Sequence, residues 1–176
     1  MTSPRLLAVV TAALIASACG IALVPPAPAP APAPAAAPAT GRYGATEFRI
    51  FELINAERVR RGLPGLVYNE QLGQMAKIQS QNMAHFQKMA HVIPEAKLSK
   101  MTDRARHVGY PFGRLAENIA LGFPDAQAAV HGWMNSRGHR ANILNSDVSE
   151  TGIGIARSSA GGLYYTQVFG RRRNSL

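Results

Sequence analysis

Three places in this 176-residue sequence combine residue types that could do chemistry: His91, the pair Glu117-Asn118, and the run Gly138-His139-Arg140. Each interrupts or borders an apolar segment, and a polar side chain that becomes buried there needs a partner. Two imidazoles and a carboxylate meeting in one cleft could hold a divalent ion with open positions, zinc above all, because neutral imidazole nitrogen and carboxylate oxygen are both good zinc ligands. Such an ion would lower the pKa of a bound water, and Glu117 could then accept its proton. Glu117 cannot easily be ligand and base at once. Glu150 is the further carboxylate that could reach the cleft, unless it only opens a strand at the surface. Spacing does not bring the set together: His91 and His139 are 48 residues apart. A lone histidine is more often a hydrogen-bonded structural residue, and Glu117 could equally cap backbone amides in a turn.

The signatures of better-defined activities are absent. No His-Glu-x-x-His helix, phosphate-cradling glycine loop or Gly-x-Ser-x-Gly elbow occurs, and the single cysteine, Cys19, precedes the part expected to fold. Neither a disulfide framework nor a cysteine-ligated zinc site can therefore stabilise the domain, and packing has to.

The elements that would position these residues are legible from periodicity. Thr46 can cap a first helix with Ile50, Leu53 and Ile54 on one side, closed by Gly62 after the basic turn Arg58, Arg60 and Arg61. Asn69 caps a second helix carrying Leu72, Met75, Ala76, Met83 and Phe86, with an end near Ala90. A shorter third helix runs from Thr102 to Gly109, where Tyr110-Pro111 breaks it. A fourth follows Asp125, with Ala126, Ala129, Val130 and Trp133 at i, i+3, i+4 and i+7. The period then becomes two: Ile153 and Ile155 alternate with glycines, and Gly161-Gly162 turns the chain into Leu163 to Phe169, which predicts a hairpin. With Leu115 to Leu121 as another strand, the class is α+β, helices around a mainly antiparallel sheet.

Residues 1–24 read as an export segment: Arg5 provides a positive start and Leu6 to Ala18 an uncharged apolar run. Three fates are open to it. Ala16-Ser17-Ala18-Cys19 loosely resembles a lipidation box, which would anchor the chain at Cys19. The Ala-Pro-Ala repeats offer cleavage sites, and Leu6 to Val24 could nearly span a bilayer. All three place the domain outside the cytoplasm. Pro25 to Pro38 alternate Pro and Ala almost strictly, so residues 25–42 read as a polyproline-type spacer, leaving a domain over 43–171 and a basic tail over 172–176. The net charge of +9 and pI near 10.4 suit contact with an anionic lipid or envelope polymer. Nucleic acid is disfavoured by export and by the lack of aromatics among the basic residues.

A resemblance adds what spacing cannot. Asn55-Ala56-Glu57-Arg58, Gly62-Leu63-Pro64-Gly65-Leu66, Glu117-Asn118-Ile119-Ala120, the run from Trp133 through Gly138-His139-Arg140 to Leu144, and Tyr165-Thr166-Gln167-Val168-Phe169-Gly170 occur in order. Together they resemble the CAP superfamily of cysteine-rich secretory proteins, antigen 5 and pathogenesis-related 1, in its bacterial branch. The resemblance implies an α/β/α sandwich with a central cleft of two histidines and two acidic residues. By motif His91, Glu117 and His139 match three of these, with His85 or His107 as substitutes for His91. Ser136 stands where the animal and plant proteins carry the fourth, acidic residue, and Ala116 stands where relatives usually have glycine. The implied function is an exported envelope module that binds a lipid or anionic ligand through this cleft, with a divalent metal, zinc first, at His91, Glu117 and His139. The alternative is a metal-assisted hydrolase with Glu117 as its catalytic residue.

Overall fold

The computed structural model describes residues 44–173; the expected export segment with Cys19 and the expected linker lie outside them. Five helices and four strands follow in the order α1 (Ala45–Val59), β1 (Val67–Tyr68), α2 (Glu70–Phe86), α3 (Met101–His107), β2 (Phe112–Leu121), α4 (Ala126–Asn135), α5 (Arg137–Ile143), β3 (Glu150–Arg157) and β4 (Leu163–Arg172). The sheet order is β1-β3-β4-β2. β4 pairs antiparallel with both β3 and β2, while β1 pairs parallel with β3. The fold is therefore the expected α+β sandwich, with a short parallel edge that the sequence did not suggest. Among the described residues no helix is long and apolar enough to cross a membrane.

Strand alternation sorts the side chains into two layers. Ala120, Ile153, Tyr165 and Phe169 face α1, α4 and α5, where they pack with Ile50, Phe51, Ile54, Trp133 and Ile143. Ile119, Tyr164 and Val168 face the other way, towards Leu72, Met75, Ala76 and Met83 of α2 and Ala105 of α3. The glycines of β3 set how closely α2 approaches. A methyl group on Gly152 would lie 2.0 Å from the Gly73 nitrogen, and one on Gly154 would lie 2.3 Å from the Lys77 nitrogen. The helix backbone thus rests directly on the strand. Ser80 bridges the contact by donating to the Gly154 carbonyl at 2.8 Å and hydrogen-bonding the Thr166 hydroxyl at 2.9 Å.

Several boundaries differ from those read in the sequence. α1 starts at Ala45 with Gly44 as its N-cap, so Thr46 lies inside the first turn. Glu47, the third helical residue, folds against Gly44 and puts negative charge at the positive helix end. The helix closes at Val59, and Gly62 (φ 73°) is the left-handed residue of the following turn. Asn69 caps α2 as expected, accepting from the Leu72 amide at 3.1 Å. α2 stops at Phe86 rather than near Ala90, because Gln87 takes the left-handed conformation (φ 52°) and Lys88 N–H returns to the Met83 carbonyl. α3 begins at Met101 and ends at His107, a shift of one or two residues. α4 is capped by Asp125 through the Ala128 amide at 2.8 Å. α5, absent from the sequence reading, follows after a break at Ser136.

α5 is held by a cation with no acidic partner. Arg58 is fully buried and donates to the carbonyls of Pro64 at 2.9 Å, Ile143 at 2.7 Å and Asn145 at 2.8 Å. The Ile143 carbonyl is the last of α5 and that of Asn145 follows just beyond it, where the helix dipole favours a positive charge.

Because the α2 backbone leaves no room at β3, Gly154→Ala is expected to cost about 3 kcal/mol of stability, at the upper end of overpacking effects. Urea denaturation checks this, and Gly138→Ala, where nothing lies within 4 Å of the added methyl, is the neutral control.

Candidate functional site

β2 is an edge strand, and alternation points Glu117 towards the α2 layer and Asn118 towards the opposite one. The site is built around that edge. On one side the Glu117 side chain, 3% exposed, accepts from the Arg104 guanidinium at 2.5 Å through Oε2 and contacts His91 Nδ1 at 2.9 Å through Oε1. On the other side Asn118 donates to the His139 carbonyl at 3.1 Å. Asn142 of α5 donates to Asn118 Oδ1 at 2.9 Å and to the Glu117 carbonyl at 3.3 Å. α5 thereby closes the free strand edge and sets His139 beside it.

Arg104 was not singled out by the sequence reading, although its position carries a signal. Met101, Ala105 and Val108 form the apolar side of α3, and Arg104 sits on that side, where a cation requires a partner. The residue is fully buried. Besides Glu117, it donates to Gln79 Oε1 at 2.5 Å and to the carbonyls of Ser99 at 3.1 Å and Leu98 at 3.4 Å. Burial pushes its pKa down and Glu117 pushes it back up; a guanidinium stays charged regardless.

The two histidines are driven apart. The hydrogen bond to Glu117 holds His91 above its usual value of 6.5, against the opposing effects of partial burial and Arg104. Burial, with the charge of His91 nearby, holds His139 below it. The His91 side chain is 56% exposed, so the face it presents is open to solvent.

The structure thus brings His91 onto Glu117 and places His139 across the strand edge from them. His85 lies at the exposed end of α2 with its ring against Phe86, and His107 lines a shallow depression with Gln74, Lys77 and Ile78; neither touches Glu117. Ser136 is half-buried at the α4–α5 break, and its side chain does not cap α5. Glu150 serves a different cluster: Tyr110 donates to it at 2.6 Å and Asn69 at 2.8 Å, and Arg172 lies 3.4 Å away. It is therefore not a second cleft carboxylate. Arg172, assigned by sequence to the tail, is the last residue of β4 and stacks over the Tyr110 ring at 5.2 Å. Ala116 pairs regularly with Phe169 and has no positive φ, so a side chain is tolerated where relatives usually have glycine. A cavity of about 430 Å³ beside α2, lined by Glu47, Tyr68, Lys77 and Ile153 among others, includes none of the cleft residues.

The donor set fits a divalent metal poorly. Both Glu117 oxygens already accept from protein groups, and among the described residues no three His, Cys, Asp or Glu side chains come together as a ligand set. An ion on Glu117 would also face the guanidinium. A +2 and a +1 charge roughly 5 Å apart repel by about 7 kcal/mol at an effective dielectric constant of 20.

Residues 51–169 match the family described as CAP: Cysteine-rich secretory protein family. The chain is 36% identical over 127 residues to the uncharacterized membrane protein YlbC of Bacillus subtilis, covering 72% of this chain and 35% of that protein. It is 35% identical over 131 residues to the uncharacterized protein YkwD of the same organism, covering 74% and 49%. Among solved structures it is similar to an extracellular protein containing a SCP domain from Bacillus anthracis, with a TM-score of 0.66 and 34% identity, covering 72% of this chain and 40% of that one. The chain thus spans about a third to a half of the length of these relatives.

Two outcomes follow from the geometry. Glu117→Gln strands a buried guanidinium and is expected to cost about 3–5 kcal/mol in urea denaturation, whereas His91→Ala, at an exposed partner, costs about 1 kcal/mol or less. In an NMR titration His91 should protonate above 6.5 and His139 below it. The His91 contribution to stability is then fully present below pH 6.5 and fades as pH rises through its folded pKa. That of His139 has the opposite sign, present above 6.5 and lost on acidification.

Proposed function

Because this chain belongs to the CAP, or cysteine-rich secretory protein, family, we propose that it is an exported envelope module that binds a lipid or anionic envelope ligand at the cleft of His91, Glu117 and His139. One observation carries this reading: Glu117, among the described residues the only carboxylate of the cleft, is neutralised from within by Arg104. What the cleft offers outward is therefore imidazole, and the exposed Arg137 and Arg140 flank His139 on α5. Such a surface attracts phosphate or carboxylate and repels cations. The overall charge of +9 acts in the same direction. Export is supported by the amino-terminal sequence and by relatives described as an extracellular and a membrane protein, and attachment through Cys19 belongs to the same reading. Metal-assisted hydrolysis would need Glu117 to hold an ion or take a proton from water, and both its oxygens are already accepting.

The test is sedimentation of residues 41–176 with vesicles of phosphatidylglycerol or phosphatidylcholine. Binding to the anionic vesicles alone is expected, weakened about fivefold by His139→Ala or Arg140→Ala, which corresponds to about 1 kcal/mol per charge or contact. Competition by soluble polyglycerol phosphate separates a wall-polymer phosphate from a lipid headgroup. Equal binding to both vesicles, or binding indifferent to the substitutions, contradicts the proposal.

A further inference from the structure

The fully buried Arg104 guanidinium gathers more of the cleft than any other group. Through one terminal nitrogen it holds Glu117 Oε2. Through the other it holds Gln79 of α2 and the carbonyls of Leu98 and Ser99. Those carbonyls lie in the irregular segment between α2 and α3, which also carries His91. Arg104 therefore fixes Glu117 directly and reaches His91 through Gln79, whose amide donates to the carbonyl of the neighbouring Ala90 at 2.6 Å. A divalent ion in such a cleft would do the same work, drawing a carboxylate and the histidine loop together around a central positive charge. Here a side chain already supplies that charge, and it cannot leave by diffusion or chelation.

We infer that Arg104 is the resident cation of this cleft, a positioning residue that holds Glu117 and His91 in place and keeps divalent metal out. The assignment rests on geometry and applies whatever ligand the cleft takes, so it stands or falls separately from the anionic-ligand reading. Glu117 is fixed with Oε1 towards His91 Nδ1, so in the neutral imidazole the proton belongs on Nδ1, and Nε2 is left for the open face. Free imidazole side chains prefer the other tautomer, which makes this arrangement readable.

The experiment is calorimetric titration of the purified full chain with zinc, together with ¹⁵N NMR of His91 at a pH where it is neutral. Wild type, Arg104→Lys, Arg104→Met and His139→Ala are compared. Wild type and Arg104→Lys should show no saturable zinc uptake that depends on His139, and His91 should carry its proton on Nδ1, unchanged by a chelator. Arg104→Met should lose that tautomer and gain zinc affinity by at least about tenfold, the scale on which groups around a metal site act. A merely structural arginine would change stability but would neither exclude metal nor set a tautomer. A folded Arg104→Met protein that takes up no more zinc than wild type overturns the inference. So does wild-type zinc binding that His139→Ala removes. If Arg104→Met does not fold, the wild-type measurements decide: zinc uptake absent with the proton on Nδ1 supports the assignment, and a proton on Nε2 contradicts it.

Discussion

A buried guanidinium has to be neutralised and hydrogen-bonded, and in this protein that requirement organises the cleft. Arg104 lies between α2, α3 and the edge strand β2, and each contributes to satisfying it: Gln79, the arginine itself, and Glu117. Removing either charge would leave the other stranded in an apolar layer, so the pair is retained as a unit. It also fixes which way Glu117 points, and hence where His91 can rest. The Arg104 Nε has no hydrogen-bond partner among the described residues, so the terminal nitrogens carry the whole interaction.

The pair can form only because α2 is in register with the sheet. Gly152 and Gly154 let the helix backbone lie against β3 at a distance no side chain would permit, and Ser80 locks its position along the strand. On the opposite layer Arg58 plays a related part without any carboxylate, holding α5 through the Ile143 carbonyl at its carboxyl end and the Asn145 carbonyl just beyond it. Two buried arginines, one on each side of the sheet, thus place the two histidines that flank the β2 edge. One histidine is anchored through an acid and kept readily protonated. The other is anchored through its backbone, and burial favours its neutral form.

Much of this was legible in the sequence, and the remainder has identifiable reasons. Helical periodicity located α1 to α4, and the change to period two located β3 and β4, because both patterns follow directly from which face is buried. Helix ends were displaced where backbone conformation decided them. Gln87 ended α2 in a left-handed turn that glycine would have announced and glutamine did not. β1 is two residues long, and α5 buries only Ile143, so neither shows a period. Of the cleft residues, His91, Glu117 and His139 came from motif order, while spacing said nothing of their convergence. Arg104 was missed because a basic residue on a short helix reads as solvated surface. Glu150 looked available because a carboxylate opening a strand carries no mark of the Tyr110 and Asn69 hydroxyl and amide that hold it.

The most direct test of this account is a crystal structure of the protein soaked in zinc, with anomalous diffraction recorded at the zinc edge. The account predicts no anomalous peak within bonding distance of Glu117, with Arg104 still on its Oε2 and His91 on its Oε1. A zinc ion ligated by Glu117 and a histidine, with the guanidinium displaced, would contradict it.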